Sequence, residues 1–248
     1  MSQALAEITY DWKDVIKNIT TEDDEPVGNL FSEKQLRLLA QSLYSSWTPP
    51  NPEKPRKQRK FLAAVNVGIF FAMYEPPLVP DLFLSLDVEP HENWYAKEHR
   101  SYFVWEFGKV PELALEIVSN RVGGEINGKL KNYARMGVLY YVVFDPLRQL
   151  TQDVLRVYEL GFGKRLRPRE DAQLPELGLS LQLWEGVFEG KEGTWLRWYD
   201  AKDNLLQTGE ERASKAEKRA AQAETELKKL RAELANLKAK PTRKSSRQ

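Results

Sequence analysis

The sequence predicts an α/β fold, a mixed sheet flanked by helices, followed by a C-terminal coiled-coil helix. Three observations predict it. Short β-branched and aromatic runs recur as FLAAVNVGIFF (61–71), LVPDLFLSL (78–86), ELALEIV (112–118) and YYVVF (140–144). Helical apolar spacing appears before the first run and between the third and fourth, so strands and helices interleave. A separate seam near the C-terminus repeats every seven residues.

The elements follow in order. Residues 1–30 form a mixed, acidic lead segment (Glu22, Asp23, Asp24, Glu25). Ser32 is read as the N-cap of the first helix, along which Leu36, Leu38, Leu39, Leu43 and Tyr44 recur near a helical period. Pro49, Pro50, Pro52 and Pro55 end that helix and lead into the basic run Arg56–Lys60, a solvated loop or a phosphate contact. The strand-like runs 61–71 and 78–86 are separated by a turn at Pro76-Pro77. An irregular stretch with Pro90, His91 and Trp94 leads to the aromatic SYFVWEF, then to the strong strand at 112–118. A helix over Glu125–Met136 precedes the strand Tyr140–Phe144, which stops at Asp145-Pro146. The pieces VLRVYEL, LSLQLWEG and TWLRWYD carry the fold to about residue 200.

Composition narrows the chemistry. The 248 residues include no Cys and only His91 and His99, which removes disulfides, thiol nucleophiles, cysteine-ligated metals and most histidine triads. Any catalysis then falls to carboxylates and lysines. Lys+Arg 37 against Asp+Glu 36 leaves a net charge of +1, so no global field argues for nucleic acid. The N-terminus lacks a secretory pattern and the apolar stretch 61–74 is too short to span a bilayer, so a soluble cytoplasmic protein with no membrane partner is expected. Gly161-Phe162-Gly163-Lys164 is wrongly spaced for a phosphate loop. His91 and His99 read as surface residues, Asp145 as a turn residue, and Trp94, Trp105, Trp184, Trp195 and Trp198 as packing groups before base-stacking ones.

From Ala213 the seam continues through Ala216, Ala220, Ala223, Leu227, Leu230, Leu234 and Leu237, with spacings alternating between 3 and 4. In a parallel dimer Arg212/Glu217, Arg219/Glu224, Glu226/Arg231 and Glu233/Lys238 would all pair with opposite charge. Antiparallel pairs such as Glu217/Lys238 are complementary too. Self-association through residues 212–238, as a homodimer, is the expectation, and the final PTRKSSRQ reads as a disordered basic tail.

Glu116 is the most informative residue. Alternation puts it with Ala114 and Val118 on one face of an apolar strand, where a carboxylate is costly unless paired, hydrogen-bonded or metal-bound. Asp81 begins a strand directly after Pro80, and adjacent strands can bring the two acids together to bind Mg²⁺. Taken singly, Asp81 could equally cap a turn and Glu116 could answer an arginine. On the following helix Ile126, Leu130, Tyr133 and Ala134 form the apolar stripe. Lys129 and Glu125 lie on one flank of it, so Lys129 can face Glu116 whereas Lys131 points away. An ordinary surface Glu125/Lys129 pair is the bland alternative.

The ordered set Pro80-Asp81, Glu116 with Ser119, Lys129 with Tyr133, Gly137-Val138, Tyr141 and Asp145-Pro146 resembles the Uma-two family of restriction endonucleases. That family belongs to the PD-(D/E)xK, restriction-endonuclease-like superfamily, and the resemblance covers roughly residues 30–200. It implies that Asp81, Glu116 and the backbone carbonyl of Ile117 hold Mg²⁺, with Mn²⁺ as a substitute. The superfamily lysine normally stands two residues after the acid, where this chain has Val118; the resemblance transfers its role to Lys129. Glu33 matches an accessory acid on the first helix, and Glu125 is a second accessory candidate. The implied domains are a nuclease domain over 31–204, a coiled-coil helix over 209–240 and a tail over 241–248. The expected function is Mg²⁺-dependent endonucleolytic hydrolysis of DNA phosphodiesters. A catalytically inactive nucleic-acid-binding module, or an assembly protein working through its coil, is the alternative that Val118 keeps open.

Overall fold

The computed structural model describes residues 29–55, 57–118, 125–150 and 152–239, with side chains of 125–127 and 237–239 not described. The acidic lead segment up to residue 28, Arg56, Ser119 and the basic tail lie outside the described residues. Among the described residues four α-helices and eleven strands follow in the order α1 (Leu30–Ser46), β1 (Phe61–Val65), β2 (Ile69–Phe70), β3 (Leu82–Leu86), β4 (Tyr102–Phe103), α2 (Val104–Phe107), β5 (Leu113–Ile117), α3 (Glu125–Met136), β6 (Tyr140–Phe144), β7 (Leu155–Gly161), β8 (Arg165–Pro168), β9 (Gln173–Leu174), β10 (Leu179–Phe188), β11 (Lys191–Asp200) and α4 (Gly209–Ala239). The described residues up to Leu206 and those from Gln207 onward form two units.

The first unit is built on a six-stranded sheet ordered β1-β3-β5-β6-β7-β8. Its pairings are antiparallel except for β5 with β6. A parallel pair needs a crossover, and α3 occurs between these two strands in the chain. Alternation sends Leu82, Leu84, Leu113, Leu115, Ile117, Val142 and Phe144 into one core with Leu36, Leu39 and Leu43 of α1. Phe83, Ala114, Tyr141 and Val143 face the other way, into a second core with Tyr133 and Met136 of α3. A helix therefore covers each face of the sheet, and the central strands β3, β5 and β6 are buried throughout.

A second antiparallel sheet, β11-β10-β9, packs against the α1 side, where Leu181, Leu196 and Trp198 join the first core. Two polar residues of α1 hold strand edges. Gln35, fully buried, donates to the Leu196 carbonyl (2.8 Å) and accepts from the Leu196 amide (2.9 Å). The Tyr44 hydroxyl does the same for Ala63 of β1, at 2.9 and 3.0 Å. Each satisfies peptide groups on the outer edge of its sheet, an edge that in β11 is further covered by Leu205 and Leu206, which meet Tyr199 and Trp198.

Several local expectations are corrected. The N-cap of α1 is Asn29 rather than Ser32: Asn29 Oδ1 accepts the Ser32 amide at 2.9 Å, so Ser32 is already inside the first turn. The run 61–71 is not one strand, because Asn66 adopts φ 54° and separates β1 from β2. Likewise the strand expected from Leu78 begins only at Leu82. Half of SYFVWEF folds as α2, and the short strands β8 and β9 had no recognised signal. In the basic run, Arg59 pairs with Asp87 (2.6 Å) and Lys60 with Glu89 (2.5 Å), the solvated-loop reading rather than a bare cationic patch. The second unit contains the 31-residue helix α4, exposed along nearly all its length. Among the described residues, no helix is long and apolar enough to cross a membrane.

Candidate active site

Asp81 and Glu116 meet because of register. In the antiparallel pair Leu82 lies opposite Leu115 and Phe83 opposite Ala114, so one step further sets Asp81 opposite Glu116. Directly opposed residues share a face with Cβ atoms about 5 Å apart. Asp81 Oδ2 accepts the Ile117 amide at 2.5 Å, which locks the start of β3 to the end of β5. Asp81 is half-buried and Glu116 is 7% exposed.

Helix α3 covers this point. Lys129 and Tyr133 are four residues apart and so lie on one helical face. Lys129 Nζ donates to Glu116 Oε2 at 2.9 Å, and the Tyr133 hydroxyl donates to Oε1 at 2.7 Å. Both carboxylate oxygens of Glu116 are thereby engaged, as a buried acid requires. Gly137 closes the helix: its φ of 95° is one that a side chain would strain, and its amide and that of Val138 both reach the Tyr133 carbonyl. Tyr133 is thus fixed at both its backbone and its hydroxyl, and Lys131 is exposed on another face of the helix.

The electrostatics are those of an anion in a tight place. Burial, opposed in part by Lys129, pushes the Glu116 carboxyl up to about 7; Asp81 pushes it further up, and hydrogen bonds from Lys129 and Tyr133 pull it down. Burial and the neighbouring Glu116 carry the Tyr133 hydroxyl far above its ordinary value, so it acts as a donor. Among the described residues no cluster of three or more His, Asp or Glu could hold a metal. Two carboxylates nevertheless suit Mg²⁺, which commonly takes one or two protein carboxylates and completes its shell with water and substrate. Hard oxygen donors, a formal charge of −2 and one lysine as the described counter-charge make a donor set that fits such an ion.

Other candidates lie elsewhere. Glu33 is on α1, which covers the opposite face of the sheet, and its carboxylate pairs with Arg37 (3.0 Å), which also holds Glu189. Glu125 begins α3, but its side chain lies outside the described residues. Val118 packs against the second core, and its amide donates to Phe144. Asp145 is a turn residue, buried and accepting the amides of Gln149 and Leu150 at 2.8 Å each. Sequence reasoning missed the contact between Tyr133 and Glu116. The signal was present: a tyrosine four residues after the lysine can hardly avoid the acid that the lysine reaches.

A mixed sheet with helices on both faces is consistent with the restriction-endonuclease-like fold. Residues 23–187 match the model of the Uma2 family, described as "Putative restriction endonuclease", and the chain belongs to that family. No curated protein matches the chain.

Proposed function

We propose that this protein is a divalent-metal-dependent endodeoxyribonuclease that hydrolyses DNA phosphodiester bonds. One observation carries the reading: Asp81 opposes Glu116 across β3 and β5 while Lys129 stands 2.9 Å from the same acid. Family membership supports a nuclease. Asp81, Glu116 and the main-chain carbonyl of Ile117 would hold Mg²⁺, or Mn²⁺ in its place. When bound, that ion supplies a water of lowered pKa and positive charge for the transition state.

The chain's own residues do the rest. Tyr133 holds Oε1 of Glu116 and so fixes the direction in which the acid presents its charge. Lys129 keeps an ammonium beside the two acids, where it neutralises an incoming phosphate or orients the attacking water, and it need not lose its proton for the first role. The Ile117 amide keeps Asp81 from turning away from Glu116.

Self-association through residues 212–238 belongs to the same proposal. The apolar seam of α4 leaves Leu227, Leu230 and Leu234 about half exposed, and its flanking charges are complementary to a second copy. Two copies bring two active sites, one for each strand of a duplex. A soluble cytoplasmic location suits this substrate. The second reading, a DNA-binding module without catalysis, is favoured by one feature, the apolar Val118 at the usual lysine position.

Incubation with supercoiled plasmid and single-stranded DNA in Mg²⁺, Mn²⁺ or EDTA separates the two. Metal-dependent cleavage by the wild type, lost in both Asp81→Ala and Glu116→Ala, is the expected result. DNA binding with equally inert wild type and variants overturns the enzyme in favour of the binding module.

A further inference from the structure

A cavity of about 320 Å³ lies at the β1 edge of the sheet, with Leu62, Ala64 and Phe83 of its lining on the face that holds Glu116. That volume is near the small end of the ~300–1,000 Å³ typical of small-molecule sites. Three aromatic rings in its lining are packed against one another. Tyr102 stacks on Phe107 at 4.3 Å, and Phe83 meets Tyr102 edge-on at 5.0 Å. The Tyr102 hydroxyl is tied to Ser85 (2.9 Å) and to the Lys109 carbonyl (3.1 Å), so this wall is rigid. Trp94 lines the same cavity yet is 58% exposed. Arg100 adds a permanent positive charge to the lining and is held to the Tyr95 carbonyl at 3.0 Å.

Two residues of the lining, Phe83 and Val67, stand near Asp81. Phe83 stands two residues along β3 from Asp81 and belongs to the same core as Tyr133, the partner of Glu116. Two strand residues span roughly 7 Å. On the other side Asn66 donates its amide to the Asp81 carbonyl (3.1 Å), and the next residue, Val67, lines the cavity. A phosphodiester at Asp81 and Glu116 would therefore have this aromatic chamber within the reach of one nucleotide. Phe83 and Tyr102 are buried and form the floor, whereas Trp94 is open enough to meet a base by its π-face, and a cation nearby suits the attached backbone.

We propose that this cavity takes one base of a DNA single strand, either unpaired or turned out of a duplex, with Trp94 as the stacking partner. The proposal rests on the nuclease reading for the place of the phosphate, but its test needs no cleavage. Binding of the full chain is measured in EDTA by fluorescence anisotropy, with a labelled oligothymidylate and the same strand carrying abasic sites. The base-bearing strand binds about tenfold more tightly than the abasic strand. Trp94→Ala removes that difference, and Trp94→Phe, which keeps a ring, retains most of it. The indole is exposed enough for either substitution to leave the core intact. Equal affinity of the wild type for the two strands overturns the proposal and leaves the cavity to a side chain of a protein partner; so does a full difference surviving in Trp94→Ala. Failure of the nuclease reading shows separately, as absence of metal-dependent cleavage in a protein whose base-dependent binding is unchanged.

Discussion

Glu116 is stabilised as an anion by two donors and destabilised by its surroundings, and the balance has a measurable sign. Its carboxyl, at about 7 in the folded chain against an ordinary 4.5, holds its proton longer when folded than when unfolded. Between those values the folded state binds more protons, so stability contributed by this group is full below about pH 4.5 and is lost as pH rises through 7. The difference corresponds to about 3 kcal/mol. Metal-stripped protein should show this fall between pH 5 and 7.5 as a lower melting temperature, and Glu116→Gln should flatten that part of the profile while abolishing cleavage. A wild-type profile that Glu116→Gln leaves unchanged would contradict the assignment. Tyr133→Phe keeps the ring and removes only the hydroxyl donor. It should cost about 1 kcal/mol of stability and lower cleavage about tenfold, read by denaturant titration and by initial rates.

At the level of elements, α3 converts a sheet into a site. The crossover demanded by the parallel β5/β6 pair sets Lys129 and Tyr133 over one acid, while Lys131, two residues on, is exposed. Lys129→Ala should therefore abolish cleavage, and Lys131→Ala should leave it within about twofold, in parallel plasmid assays. The central elements were legible in the sequence because burial on both faces writes an apolar run, interrupted within β5 by Glu116. ELALEIV and YYVVF fold within a residue or two of the expected bounds. The peripheral elements were less legible. Asn66 breaks its strand by adopting a left-handed conformation, which no apolar pattern announces, and RLRP of β8 is largely exposed. The true cap of α1 lay three residues upstream of Ser32 because Asn and Ser compete for the same task, and only geometry shows which one faces the free amide.

The whole chain extends beyond its family match. That match ends at residue 187, within β10, whereas Leu196 and Trp198 of β11 are buried in the first core. A chain cut at residue 187 should fail to fold. One ending at Leu206 keeps that strand and the carbonyl that accepts from the buried Arg197 (3.0 Å), and should remain folded. By light scattering the 1–206 protein should be monomeric and the full chain dimeric; two monomers would remove the self-association proposal. Leu230→Asp in the seam should have the effect of the truncation while leaving the melting of the first unit unchanged. The heptad was legible without any structure because its period is distinct from everything before it. The joining of two sheets under α1 was not, since it depends on contacts between residues some 160 positions apart.

That joining makes α1 a stopper at two open ends. Gln35 and Tyr44 each occupy the amide and carbonyl of one residue on an outermost strand, in β11 and in β1 respectively. Loss of this one helix would bare β1 and the Leu196 stretch of β11 at once, each a template on which a further chain could add. Heating should then yield fibrous, thioflavin-positive precipitate rather than a soluble partly melted form, and a proline placed mid-helix in α1 should bring that outcome on at ordinary temperature.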